Sequence, residues 1–193
     1  MIRTPYFSLF ILLIFSPLFP KSRADAPNQD LVRTSCVHAS YPAICLRTLS
    51  TCGSPATTPR ELAQVAVKVS IKRVRKASDF LSQLKGSGRR EQGALSDCIE
   101  QMGDSVEELR KTMSALEHLQ RGGNFEWQMS NAETWASAAL ANEDTCLDGF
   151  KEIDVKVRSD VRRKITNVAR VTSNALYLIN CLDDSHGKTP SAS

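Results

Sequence analysis

From Leu95 to Leu116 the apolar residues Leu95, Cys98, Met102, Val106, Leu109, Met113 and Leu116 step by three and four without a break. An α-helix repeats every 3.6 residues and a strand every two, so this spacing predicts the buried seam of one long helix. Three further segments carry the same signature. The first runs from about Thr58 to Leu84, with Leu62, Val65, Ala66, Val69, Ala77, Phe80, Leu81 and Leu84 as its stripe. It opens on the capping box Thr58-Pro59-Arg60-Glu61, where proline at the first helical position gives up an N–H that has no helical partner anyway. Gly86-Ser87-Gly88 ends it. The second, around Leu95–Leu116, extends from about Arg90 to Gln120 and closes at Gly122-Gly123. The third is predicted from a capping box at Ser130-Asn131-Ala132-Glu133, with Ala132, Trp135, Ala136, Ala139, Leu140, Cys146, Leu147 and Phe150 inward. The fourth, from about Asp154 to Leu182, presents Val161, Ile165, Val168, Thr172, Ala175, Ile179 and Leu182. No stretch alternates with period two. Four amphipathic helices on short loops make an all-α, up-down-up-down four-helix bundle the expected architecture. Residues 30–50 break at Tyr41-Pro42 and predict a short N-terminal helical hairpin ahead of it.

The chain begins with Arg3, then an apolar run from Tyr6 to Phe19, then Lys21-Ser22-Arg23-Ala24. A membrane-spanning helix needs ~20 apolar residues, and this run is shorter and holds Pro17. A signal peptide over residues 1–24, cut after Ala24, is the expectation. Its removal takes away Arg3, Lys21 and Arg23 and no acid, so the formal charge falls from +4 to +1. Nucleic-acid binding then loses its electrostatic support, and no membrane association is expected after cleavage. No Asn-x-Ser/Thr site is present. The helical domain is expected over 30–182, with polar, disordered tails at 25–29 and 183–193.

Six cysteines, at 36, 45, 52, 98, 146 and 181, follow that signal. An even number in an exported chain reads as a disulfide framework, here with fifteen full pairings. Cys36 and Cys45 flank the Tyr41-Pro42 break, so a bridge between them would staple the hairpin. Cys98 and Cys146 lie on the stripes of adjacent antiparallel helices at one end of the bundle. Cys52 precedes the first long helix and Cys181 ends the fourth, which topology places at a common end. A third bridge between them is allowed, against a buried Cys181 thiol and a free Cys52.

Taken in order, Cys36-x8-Cys45 around Tyr41-Pro42, Leu95-Ser-Asp-Cys98, Trp135-Ala-Ser-Ala-Ala-Leu140-x4-Thr145-Cys146-Leu-Asp148-Gly-Phe150 and Thr172-Ser-Asn-Ala-Leu176-Tyr-Leu-Ile179 resemble the plant invertase/pectin methylesterase inhibitor family. The resemblance covers about residues 30–182. It implies a four-helix bundle with a helical hairpin and two disulfides, Cys36–Cys45 and Cys98–Cys146, and leaves Cys52 and Cys181 outside the pattern. It also implies a protein inhibitor with no enzymatic activity and no cofactor. The same domain occurs as the pro-region of pectin methylesterases; here a free-standing inhibitor is the expectation.

The family divides by target. Members that inhibit acid invertase resemble one another in a Pro-Lys-Phe tripeptide before the third bundle helix. The matching stretch here, Gly123-Asn124-Phe125, keeps only the aromatic. Members that inhibit pectin methylesterase resemble one another in a polar, partly acidic face on the second and third bundle helices. The matching positions are Glu100, Asp104 and Glu107, spaced i, i+4, i+7 on one stripe, with Thr145 and Asp148 beside Cys146. A solvated acidic face is the plainer reading of such a stripe. The resemblance favours contact with a pectin methylesterase, and an acid invertase of the cell wall or vacuole is the alternative partner. A secreted, apoplastic location follows from the same reading.

Other residues carry less. His38, His118 and His186 are scattered and make neither metal spacing nor a triad, and Ser35 lacks a nucleophile's local context. Trp135 is expected in the core, while Phe125 or Trp127 is expected to be an exposed anchor. Lys72-Arg73-Val74-Arg75-Lys76 is the one dense basic run. It reads as a solvated helix face, or more sharply as a weak site for de-esterified pectin, an acidic polymer.

Overall fold

A computed structural model describes residues 27–52, 56–120, 122, 124–153 and 155–187. Six helices follow in order: α1 (Pro27–Cys36), α2 (Pro42–Leu49), α3 (Pro59–Gln83), α4 (Arg89–Glu117), α5 (Phe125–Gly149) and α6 (Val155–Gly187). No strand occurs among the described residues. Helices α3 to α6 form the bundle, each packing on its chain neighbours, with α3 closing the square against α6. Consequently α3 lies diagonally across from α5. The α1/α2 hairpin lies against α3 and α6.

The stripes on α4 and α6 are buried along their whole length, from Leu95 to Leu116 and from Val161 to Leu182. Burying a large aliphatic side chain contributes roughly 1.5–3 kcal/mol, so this core is the main stabilising term. At the start of α3, Thr58 accepts a bond from the Glu61 N–H as an N-cap should. The Glu61 carboxylate reaches one residue further back, to the N–H and hydroxyl of Thr57, both at 2.7 Å. Those bonds hold its pKa below the usual carboxylate value.

Two side chains tie distant segments together. The Arg60 guanidinium donates to the carbonyls of Leu116, Glu117 and Leu119 at 2.8, 2.8 and 3.1 Å. Leu116 and Glu117 end α4, where carbonyls have no helical N–H to accept from, and Leu119 lies just beyond. Asn174 on α6 clamps the hairpin turn, accepting from the Tyr41 N–H at 2.9 Å and donating to the Tyr41 carbonyl at 3.0 Å.

Several expectations need correction. Helix α5 starts at Phe125, not at Ser130. Phe125 and Met129 are buried, and they extend the three-four stepping backwards by two positions. Gly122 turns the α4–α5 loop with φ of 112°, a conformation that favours glycine. Gln128 then braces that loop, accepting from the Gln120 N–H and donating to the His118 carbonyl. At the termini, α1 begins at Pro27 and α6 continues to Gly187, where polar tails were expected from 25–29 and from 183. The expected signal peptide, residues 1–24, lies outside the described residues.

Candidate functional site

The structure joins Cys36 to Cys45 and Cys98 to Cys146. The second bridge pins α4 to α5 with their Cα atoms 4.4 Å apart. No bridge joins Cys52 and Cys181, which are both free. Cys52 sits just past α2, its Sγ donating to the Thr48 carbonyl at 3.3 Å. Cys181 is exposed on α6, off the stripe of Leu178, Ile179 and Leu182. One helix position separates a core side chain from a surface one, and Cys181 falls on the outer side, beside Tyr177.

Glu100, Asp104, Glu107, Thr145 and Asp148 are all exposed. Their environments differ. Glu107 pairs with Arg110 on its own helix, and Asp148 with Lys151 at 2.8 Å. Glu100 and Asp104 have no ion-pair partner among the described residues. The Thr145 hydroxyl donates back to the Ala141 carbonyl at 2.8 Å, so its oxygen is left as an acceptor.

With antiparallel helices pinned at Cys98 and Cys146, residues at equal distances from the bridge lie side by side. Thr145 is therefore level with the Glu100 turn. Asp104 and Glu107 lie roughly 9 and 14 Å from the bridge along α4 toward the loop, at ~1.5 Å per residue. The five residues are spread along the exposed faces of α4 and α5 and do not form a cluster. Asp97, three residues before Glu100 and also exposed, belongs to the same stripe. Its 97-100-104-107 spacing was legible in the sequence.

Nearer the loop, the α4/α5 seam opens into a groove of about 320 Å³ walled by Trp127 and Trp135, with Lys111, His118 and Asn131 around it. Trp127 is 70% exposed, whereas Phe125 is buried. Trp135 is only half-buried, so it lines this groove and does not fill the core as expected. Trp127 is thus the aromatic that a partner protein can reach.

Beneath the α4/α5 surface lies a buried acid. Glu143 is fully buried and occupies a core position of the Phe125-Met129-Ala132-Ala136-Ala139-Glu143-Cys146 stepping. Its Oε1 accepts from the Ser105 hydroxyl at 2.9 Å and the Thr172 hydroxyl at 2.8 Å. Its Oε2 has no hydrogen-bond partner. Burial pushes the carboxyl up to about 8, against the pull of the two hydroxyls. An acid at a stripe position was the available signal.

Disulfide-stapled helical hairpin, four-helix bundle and a polar seam with one exposed tryptophan together define a protein-binding helical module. Its family follows from comparison. The model of the plant invertase/pectin methylesterase inhibitor family matches residues 30–178. The chain belongs to that family. It is 45% identical to pectinesterase inhibitor 3 of Arabidopsis thaliana over 197 aligned positions, covering 95% of this chain and 96% of that one. It is 39% identical to a 21 kDa protein of Daucus carota, covering 90% of this chain and 95% of the relative. Among solved structures, a mutant form of an Arabidopsis pectin methylesterase inhibitor superposes with a TM-score of 0.63 at 22% identity, over 76% of this chain and 93% of that chain. At that identity the superposition establishes the fold.

Proposed function

We propose that this chain is a secreted inhibitor of pectin methylesterase, acting in the apoplast through a reversible one-to-one complex. It performs no chemistry of its own and blocks the enzyme's pectin-binding cleft with the α4/α5 seam. The observation that carries the reading is that two-helix surface: Glu100 and Asp104 stand exposed near the Cys98–Cys146 bridge without an ion-pair partner among the described residues, and Trp127 projects from the α4/α5 groove. Free carboxylates supply charge complementarity and steering, and an exposed tryptophan supplies an anchor. The names of the relatives agree with this target. Asp97, Glu107, Thr145 and Asp148 flank the contact. No described helix is long and apolar enough to cross a membrane.

The invertase alternative finds no support in the geometry. Phe125, the one residue kept from the invertase-type tripeptide, is 6% exposed and packs in the core. The test uses the oxidised protein against a panel of pectin methylesterases and acid invertases at mildly acidic pH. Esterase inhibition is expected, and Asp104→Lys weakens it at least tenfold while the melting temperature holds. Inhibition of invertase alone would refute the reading.

A further inference from the structure

On the far side of the bundle, the end of α2 and the outer face of α3 enclose a cleft of about 490 Å³. Lys68, Lys72, Arg73 and Lys76 line it, and no acid does. Lys68, Lys72 and Lys76 recur every four residues, so they form a row roughly 12 Å long at ~6 Å per step. All four cations are exposed, and none has an ion-pair partner among the described residues. Like charges at i, i+4 destabilise a helix by about 0.2–0.5 kcal/mol per pair. Among the described residues no ion pair offsets that repulsion, which makes an external anion its natural counterpart.

The shape narrows the anion. A row of single cations suits a chain carrying one charge per unit better than one compact phosphate. Val65 and Val69 give the cleft an apolar floor, against which the C–H faces of sugar rings can lie. No aromatic side chain lines it, so the stacking platform that single-stranded nucleic acids use is missing.

We infer that the α2/α3 cleft is a binding site for a linear polyuronate, a sugar chain bearing one carboxylate per residue, with Lys68, Lys72 and Lys76 as the contact row and Arg73 widening it. Because α3 is diagonal to α5, the site faces away from the α4/α5 seam. The inhibitor can therefore hold the acidic polymer and a protein partner together. De-esterified pectin is a polymer of this class. The site stands independently of the inhibitor reading, since polymer binding is measured with no esterase present.

The probe is a fluorescent oligogalacturonate of about ten units, titrated with the full protein and followed by anisotropy. Binding is expected, with no binding of the fully methyl-esterified chain. Affinity should fall of order tenfold between about 50 and 200 mM salt, as counterion release at three charge contacts requires. The triple variant Lys68→Gln, Lys72→Gln, Lys76→Gln should lose at least tenfold. Removing the same charge from α6, with Arg162→Gln, Arg163→Gln and Lys164→Gln, should change affinity less than twofold. The half-buried Cys52 thiol lines the cleft while Cys181 is exposed elsewhere. Bound polymer should therefore slow alkylation of Cys52 by iodoacetamide and leave Cys181 unchanged. Equal losses in the two triple variants would reduce the effect to net charge and overturn the site. So would competition by inorganic phosphate or an RNA oligomer at equal charge concentration, or an unprotected Cys52 under saturating polymer.

Discussion

Replacing Glu143 with glutamine should flatten the pH dependence of this protein's stability. In the folded chain the carboxyl is pushed up to about 8 from an ordinary 4.5, chiefly because burial penalises the charged form. Ser105 and Thr172 donate to one oxygen and stabilise the anion, while the charge of Asp144 and the unpartnered second oxygen work against it. A raised acid binds its proton more tightly in the folded state than in the unfolded one. The stabilisation is thus fully present below about pH 4.5 and is lost as pH rises toward 8. A rise of that size corresponds to of order 5 kcal/mol at ~1.36 kcal/mol per pKa unit. Between those limits wild-type stability should fall by up to ~1.4 kcal/mol per pH unit.

Glutamine keeps an acceptor oxygen for both hydroxyls but cannot ionise. Its amide N–H groups find no acceptor where Oε2 now stands, so Glu143→Gln should cost about 1–3 kcal/mol near pH 5. The variant should overtake the wild type before pH 8. Urea unfolding followed by circular dichroism at half-unit steps reads both curves. Glu61, whose pKa is lowered, contributes with the opposite sign and only on the acid side, so it does not mask the crossing. Parallel curves for the two proteins would refute the argument, since the pH dependence would then belong to other groups.

The bridge between Cys98 and Cys146 closes 48 residues, so the double serine variant should lose about 4 kcal/mol in the chain-entropy model, read by chemical denaturation. A loss under ~1 kcal/mol would mean that the α4/α5 packing holds those helices together unaided. Arg60→Ala leaves the Glu117 and Leu119 carbonyls without their donor, while Leu116 keeps the Gln64 amide at 3.0 Å; it should cost about 1–3 kcal/mol, with amide exchange rising in the last turn of α4. Trp127→Ala should lower affinity for the esterase at least tenfold while the melting temperature stays within a few degrees, because the indole is 70% exposed. An unchanged inhibition constant would remove Trp127 from the contact surface.

Much of this architecture was legible in the chain. The stripes of α4 and α6 were readable residue by residue, because the helical period is a local property of the backbone and apolar side chains must repeat with it. Thr58-Pro59 marked the start of α3 for the same local reason. At the start of α5, Ser130-x-x-Glu133 imitates a cap, whereas the burial of Phe125 and Met129 decides the helix start. Local pattern also left the two tryptophans undecided. Whether Trp127 or Phe125 faces solvent depends on where α4 passes, and Trp135 sits at the rim of a groove that exists only between two helices.

By itself, then, the sequence determined four long amphipathic helices, the inward faces of α4 and α6 and the cysteines that could be brought together. Tertiary structure alone decided that Cys52 and Cys181 stay apart, that Glu143 is sealed between α4, α5 and α6, and that a lysine row on α3 becomes the wall of a cleft. The reason is geometric. Periodicity specifies a direction around one helix axis, but a site needs the distance and rotation between axes, which only the packing of all the helices sets.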